Sequence, residues 1–418
     1  MIKMKKEKTM LLVIICIILL VGLSTLGFIS YNNYMVEQIL REEQEKKEKA
    51  EALLLETIKN NYNEKVITTK ESKLYKLEND KYIEIGTINS DVNLYLEVIG
   101  EATLKNEYFK LAKSNYYIYH DAVKPDIEFS TSNNYKNYVP FDNDILTKSG
   151  AKVYLNDKEL YVINEELQLP IIINDTNAYH VELNNMLVEI KKEDVSKTIE
   201  NKRNQAVATN IGVLNYHFFY DAQKENCNEI ICLEKSKFEQ HLKYLQDNDF
   251  YTATMKDMAL WMNKKIRLPK KTTVITVDDG ALGTDTHLIE LLEKYDMHGT
   301  LFLITAWWPK EKYVSPNLEI QSHGYDIHTN GGAVTRSRDV LLADVKKSIS
   351  KLDGENTAFC YPFYAHNYTT KEVLKQAGFK IAFVGGNVKA NQNHDPYQIY
   401  RYVIYSYTSV NDLKYMVN

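Results

Sequence analysis

The chain has 418 residues, with 51 Lys+Arg against 56 Asp+Glu for a formal net charge of −5, and 44% of it is apolar. At roughly 150 residues per domain this predicts two to three folded units, and an acidic balance without a basic stripe argues against nucleic-acid binding by phosphate neutralisation. The 31 Tyr, 13 Phe and 3 Trp exclude a disordered polymer, and 4 Cys are too few for a disulfide-built miniprotein.

Met10 to Ser30 carries no charged residue, and at about 1.5 Å per helical residue it spans roughly 31 Å, the thickness of a bilayer core. Lys3, Lys5, Lys6 and Lys8 precede it, so the positive-inside rule predicts a cytoplasmic tail over 1–9, an anchor over 10–30 and an extracytoplasmic remainder. The predicted location is the cell membrane, single-pass. A cleavable signal peptide is the rival, but it needs a shorter apolar stretch and a small-residue cleavage site. Residues 31–64 are rich in Glu and Lys without Pro or Gly, which predicts a helical stalk.

From about Lys65 the texture becomes short alternating runs broken by Asn, Asp and Gly, the pattern of small β-domains. The run from Thr69 to Tyr75 answers to that from Thr147 to Tyr154, and YFKLAKSNYYIYHDAVKP (108–125) answers to AYHVELNNMLVEIKKEDV (178–195). Each copy, 65–128 and 129–198, resembles a bacterial SH3-like barrel, which implies a role in holding wall polymers or docking on a neighbouring domain.

A polar stretch over 197–206 reads as a linker. Beyond it, apolar runs (Ile211–Tyr216, Thr273–Val277, Thr300–Ile304, Ala358–Tyr361, Ile381–Val384) alternate with helix-like stretches (Lys235–Asn248, Asp285–Tyr295, Val340–Lys351, Thr370–Ala377). Such alternation predicts an α/β domain with parallel strands under covering helices, as a barrel or a doubly wound sheet. Chemistry then belongs on loops that follow strand C-termini.

Asp278, Asp279 and Gly280 stand at such a strand end. Two adjacent carboxylates raise one another's pKa unless a cation neutralises them, although Asp-Gly is also a common solvated turn. Ser322-His323-Gly324-Tyr325-Asp326-Ile327-His328 ends a second segment, and two His with one Asp from separate loops make a three-ligand set of the catalytic-metal kind. On a regular helix residues five apart sit about 140° from one another, so these two His converge only across a turn. His287, His298, His366 and His394 are isolated.

Asp278-Asp279, His323 to His328, Tyr361-Pro362-Phe363 and the opening Leu214-Asn215-Tyr216-His217 resemble the successive motifs of the NodB-homology polysaccharide deacetylases, carbohydrate esterase family 4. The resemblance covers about 207–418 and implies a distorted (β/α) barrel. It implies that Asp279, His323 and His328 bind a divalent metal, zinc first with cobalt, nickel and manganese as alternatives. It also implies that Asp278 is the general base and that the Phe363 N–H steadies the oxyanion.

The sequence departs from the family pattern in three places. The metal His are five positions apart rather than four, which looks like the branch acting on poly-N-acetylglucosamine exopolysaccharides. Cys360 stands where the third motif has an Arg, and Arg401 is the candidate replacement cation. No His follows His394, so the proton donor to the leaving amine falls to His217 by resemblance to the same branch.

Sugar faces stack on aromatic rings, which nominates Trp307, Trp308, Tyr325, Tyr361 and Phe363, with Pro362 and Arg401 beside them, as substrate contacts. Cys227 and Cys232 are candidates for a small disulfide, and Cys360 for a buried thiol. The function expected is metal-dependent removal of acetyl groups from N-acetylglucosamine units of peptidoglycan or an exopolysaccharide. The alternative is an inactive wall-binding scaffold that works through the SH3-like pair.

Overall fold

The computed structural model describes residues 10, 12, 32–50, 52–53, 56, 64–97, 104–105, 107–126, 128–130, 134–329 and 331–418. They divide into two compact units, Met1–Phe129 and Ser130–Asn418. Residues 32–50 are helical, within the stretch predicted as a stalk.

No helix among the described residues is long and apolar enough to cross a membrane, and the expected single-pass location in the cell membrane is corrected accordingly. The helix over 32–50 contains Arg41, Glu42, Glu43, Glu45, Lys46, Lys47, Glu48 and Lys49, each costly in hydrocarbon, and so does not span a membrane. The predicted anchor over 10–30, apart from residues 10 and 12, and the tail over 1–9 lie outside the described residues.

In the first unit, strands Ser72–Glu78 and Lys81–Ile88 pair across Asn79 and Asp80. Both turn residues are left-handed, at φ 48° and 60°, the geometry that a two-residue hairpin demands and that Asn and Asp tolerate. The register shifts between Leu74 and Tyr75. Lys65–Thr68 lies between Asn93–Tyr95 and Val123–Pro125 in a separate three-stranded sheet.

The second unit begins with the same construction. Ala151–Leu155 and Lys158–Ile163 pair across left-handed Asn156 and Asp157, with a register shift between Val153 and Tyr154. Asn143–Thr147 lies between Gln168–Pro170 and Val195–Glu200. In each copy a 3-10 turn, His120–Ala122 or Lys192–Asp194, leads into the last strand. The sequence repeat is thus a structural repeat down to its bulge, and part of the expected linker at 197–206 continues that last strand.

A parallel barrel follows. Its strands are β1 (Asn210–Tyr216), β2 (Thr272–Asp279), β3 (Gly299–Leu303), β4 (Leu318–Ser322), β5 (Ala358–Cys360), β6 (Ile381–Gly385) and β7 (Ile399–Val403). They run in the order β2-β3-β4-β5-β6-β7-β1, and β1 pairs with β2 to close the ring. All eight residues of β2 are buried, as a strand covered on both faces requires. The helices are α1 (Lys235–Asp247), α2 (Met255–Met262), α3 (Ile289–Lys294), α4 (Arg338–Lys351), α5 (Tyr368–Ala377) and α6 (Val410–Val417). Contact between α6 and β1 depends on Gly212, where a Cβ would come within 2.3 Å of the Met416 carbonyl oxygen.

Within this unit the β-module and the barrel share one core. Tyr135, Tyr138, Ile172 and Ile173 pack with Met258, Trp261 and Leu268 and with residues near the starts of strands, Ile211, Ala358, Ile381 and Ile399. The module therefore seals the N-terminal mouth of the barrel and leaves the C-terminal mouth for chemistry. Buried Asp257 ties the two: it accepts from Tyr138 Oη at 2.5 Å and Tyr251 Oη at 2.6 Å, while Thr254 and Asp257 form the capping box of α2. Asp257→Ala would strand the buried Tyr138 hydroxyl, remove one partner of the half-buried Tyr251 hydroxyl and uncap α2. We expect a loss of about 2–3 kcal/mol in denaturant unfolding, and an unchanged midpoint would refute the coupling.

Candidate active site

Asp278 and Asp279 end β2, His323 directly follows β4, Cys360 ends β5 and Arg401 sits in β7. Parallel pairing brings these strand ends to one mouth. The chain leaves β2 abruptly: Asp279 and Gly280 are both left-handed, at φ 75° and 82°. A non-Gly residue held there is strained, and such strain gathers at functional sites.

The two adjacent carboxylates have separate solutions. Arg401 Nη1 donates to Asp278 Oδ1 and Nη2 to Oδ2, each at 2.8 Å, with both side chains nearly inaccessible. Arg401 also donates to Thr276 Oγ1 at 3.0 Å and to Cys360 Sγ at 2.8 Å. Burial by itself would push the Asp278 carboxyl up, but the Arg401 guanidinium more than reverses this and holds it well below the usual carboxylate range. Burial pushes the Cys360 thiol up and keeps it protonated at neutral pH.

Asp279 has no such cation. Its Oδ1 is buried without a hydrogen-bond partner, 3.4 Å from His323 Nε2 and 3.3 Å from His328 Nε2. His323 Nδ1 lies 2.8 Å from the Cys360 carbonyl oxygen, so Nδ1–H is the donor and Nε2 is the nitrogen turned toward Asp279. A carbonyl partner of this kind orients metal-binding imidazoles. The ligand atoms of Asp279, His323 and His328 lie within 4.8 Å of one another. For His323, burial lowers the pKa, but Cys360, Asp279 and Asp278 raise it by more, leaving it well above its ordinary value. One carboxylate with two imidazoles is a donor set that suits zinc or a similar divalent ion.

Convergence of the two His depends on the loop between them. Asp344 of α4 accepts from the N–H of Tyr325 at 2.7 Å and of Asp326 at 2.8 Å, and Gly324 turns at φ 88°. The imidazole ring centroids come within 5.0 Å. Asp344 was not anticipated because, in sequence, an Asp inside an amphipathic helix looks like any solvated residue.

His217 follows β1, with Nε2 3.9 Å from Asp278 Oδ2 and a buried Nδ1 that has no hydrogen-bond partner. Burial lowers its pKa against the opposing pull of Asp278 and Asp279, so the imidazole is neutral at rest near pH 7. Trp307 and Phe363 flank His328 at ring distances of 5.6 and 4.4 Å, and both are about half exposed, at 47% and 53%. Trp308 lies under Lys312 Nζ at 4.5 Å, and Tyr325 under Lys347 Nζ at 3.7 Å.

Three expected substrate contacts are corrected. Tyr361 is fully buried, with its hydroxyl donating to the Tyr397 carbonyl oxygen, and Pro362 is buried beside it. Arg401 is likewise inaccessible and serves Asp278 instead. An aromatic strand end looks alike in sequence whether its ring faces the mouth or the core. Tyr364, which was not singled out, places its hydroxyl 2.7 Å from Asn215 Oδ1 under the Arg401 guanidinium. Cys227 and Cys232 are joined by a disulfide in the loop that follows His217.

A closed parallel barrel carries at its C-terminal mouth a triad of one carboxylate and two imidazoles that could hold a metal ion. Residues 265–382 match the family model "Polysaccharide deacetylase", and the chain thus carries a polysaccharide deacetylase domain. The chain is similar to the putative polysaccharide deacetylase YxkH of Bacillus subtilis, 23% identical over 224 residues, covering 51% of this chain and 77% of that one. It is also similar to a poly-beta-1,6-N-acetyl-D-glucosamine N-deacetylase of Staphylococcus aureus, 25% identical over 243 residues, covering 51% of this chain and 83% of that one. Among solved structures, the Streptococcus pyogenes deacetylase PplD in complex with acetate matches with TM-score 0.43 and 20% identity, covering 50% of this chain and 99% of that one.

Replacing Arg401 by Met leaves the burial of Asp278 unopposed, so its pKa rises. A depressed carboxylate keeps its charge until pH falls through its folded pKa, so the acid limb of the rate profile is expected to move to higher pH. The rate at neutral pH should fall about 10²-fold, and an unshifted limb would refute the pairing. Asp344→Ala should weaken metal binding by about 10–100-fold while the fold persists, as read by metal titration and circular dichroism.

Proposed function

We propose that this protein is a metal-dependent deacetylase that hydrolyses the N-acetyl groups of N-acetylglucosamine residues in a polysaccharide, with a poly-β-1,6-linked polymer favoured over peptidoglycan. The observation that carries the reading is the orphaned Asp279 Oδ1 facing two imidazole nitrogens beside a separately neutralised Asp278. The match over 265–382 and the Staphylococcus aureus relative support the substrate class.

Asp279, His323 and His328 would hold the ion, which when bound supplies Lewis-acid polarisation of water and of a carbonyl oxygen. Asp278 takes a proton from the attacking water, with Arg401 fixing both its oxygens. The acetamide carbon gains the hydroxyl, and the Phe363 N–H donates to the developing oxyanion. The proton on Asp278 can pass to His217, 3.9 Å away, and from there to the departing nitrogen. The C–N bond breaks, leaving acetate and an amine. Trp307 and Phe363, half exposed around His328, offer faces to the sugar ring.

The same proposal includes SH3-like modules over 65–128 and 129–198 and a deacetylase domain over 207–418. The repeated hairpin, bulge, three-stranded sheet and 3-10 turn support it.

The test is acetate release from N-acetylglucosamine oligomers and from peptidoglycan, before and after chelation, with zinc add-back. Activity should vanish on chelation, return with metal, and fall at least about 10³-fold in Asp278→Asn and about 10²-fold in His217→Ala. No release from either polymer by a chain that binds no metal would overturn the reading.

A further inference from the structure

The first unit carries a feature that the barrel chemistry does not use. Cross-strand register puts Tyr75, Tyr82, Tyr108, Tyr117 and Tyr119 on one face of the sheet: Tyr75 pairs with Tyr117, Tyr108 with Tyr119, and Leu77, two residues from Tyr75, with Tyr82. The opposite face is the core, where Leu74, Phe109 and Ile118 are fully buried. An antiparallel sheet with one face in the core ordinarily turns polar residues outward. Here the outer face carries five rings in one contiguous cluster, with centroids 4.0 Å apart for Tyr82 and Tyr108, 5.0 Å for Tyr75 and Tyr108, 5.3 Å for Tyr82 and Tyr117, and 5.4 Å for Tyr108 and Tyr119. All five remain partly accessible.

The charges around this cluster are internally matched. Lys73 pairs with Glu84, Lys110 pairs with Glu97 at 2.7 Å, and Glu107 accepts the Tyr119 hydroxyl at 2.9 Å. Lys73 and Lys110, each held by a carboxylate, thus exert little net pull on a polyanion. Rings and phenolic hydroxyls together suit a neutral ligand with flat C–H faces and many hydroxyls.

We propose that this tyrosine cluster is a second glycan-binding site, which takes the neutral, N-acetylated stretches of the polymer that the barrel processes. The identity of that polymer rests on the deacetylase reading above. A second contact on one long chain raises the effective concentration of the polymer at the barrel. The gain is confined to substrates long enough to engage both sites at once.

The experiment uses the full chain carrying Asp278→Asn, so that bound glycan is not consumed, and measures co-sedimentation with insoluble N-acetylglucosamine polymer. Tyr108→Leu and, separately, Tyr75→Leu keep apolar bulk but remove the ring face. Each should weaken retention about five- to tenfold with an unchanged melting temperature. In the otherwise native chain, the same variants should raise KM for the polymer and leave turnover of a short soluble oligomer unchanged. Unchanged retention in both folded variants would overturn the proposal. So would a change of oligomeric state, read by analytical ultracentrifugation, without a change in retention, since the cluster would then be an interface between copies. Tyrosine-dependent retention by a chain that releases no acetate would sink the deacetylase reading and leave this site standing.

Discussion

Two carboxylates on consecutive buried residues are the constraint around which the C-terminal unit is arranged. Two negative charges cannot both persist at the mouth of an apolar barrel without positive partners, because the desolvation cost of each exceeds what water at the rim returns. The chain resolves this unequally. Asp278 receives a permanent cation, Arg401, in a two-pronged pair with Thr276 and Cys360 absorbing further donors. Asp279 receives two imidazoles that cannot both remain neutral around a lone carboxylate oxygen without a further charge. One aspartate is thereby held ionised and oriented, and its neighbour is left facing two imidazoles as a candidate ligand.

The barrel exists to hold those partners in register. Asp278, Cys360 and Arg401 come from three strands, and the parallel order sets β7 beside β1 and β1 beside β2, so that Arg401 reaches across to Asp278. Parallel strands alone would leave an open lower mouth. The β-module of the same unit fills it with Tyr135, Tyr138, Ile172 and Ile173, so rigidity at the base and chemistry at the rim are assigned to opposite ends. The loops at the rim carry the strain: left-handed Asp279, Phe363 and Tyr364 all lie there.

The use of one small β-module twice is economical in physical terms. Both copies solve the same turn problem with an Asn-Asp pair and the same twist problem with a bulge opposite the step into a tyrosine, Leu74 to Tyr75 and Val153 to Tyr154. Their surfaces then diverge. The second copy gives its apolar residues to the barrel core, whereas the outer sheet face of the first gathers tyrosines.

Much of this was legible in the amino-acid sequence because it is local. Apolar runs revealed β1, β2, β3, β5 and β6. The Asn-Asp turns and the repeat revealed the β-modules, and Asp278, Asp279, His323 and His328 stood at strand ends where parallel folds place chemistry. β4 was anticipated only through the motif at its end and β7 was missed, since LEIQS and IYRYV interrupt their apolar pattern with Glu, Gln and Arg, and only pairing with neighbours makes them strands. Partners distant along the chain were harder to read: Arg401 was nominated as the cation for the base by resemblance alone, and the structure pairs it with Asp278, whereas nothing in the sequence showed that Asp344 gathers the loop between the two His or that Tyr361 turns inward. Residue type and period are written along the chain, so sequence determines which segments become strands and which side chains can do chemistry. The pairing of a charge with its counter-charge depends on distances across the barrel, and only the closed tertiary structure decides those.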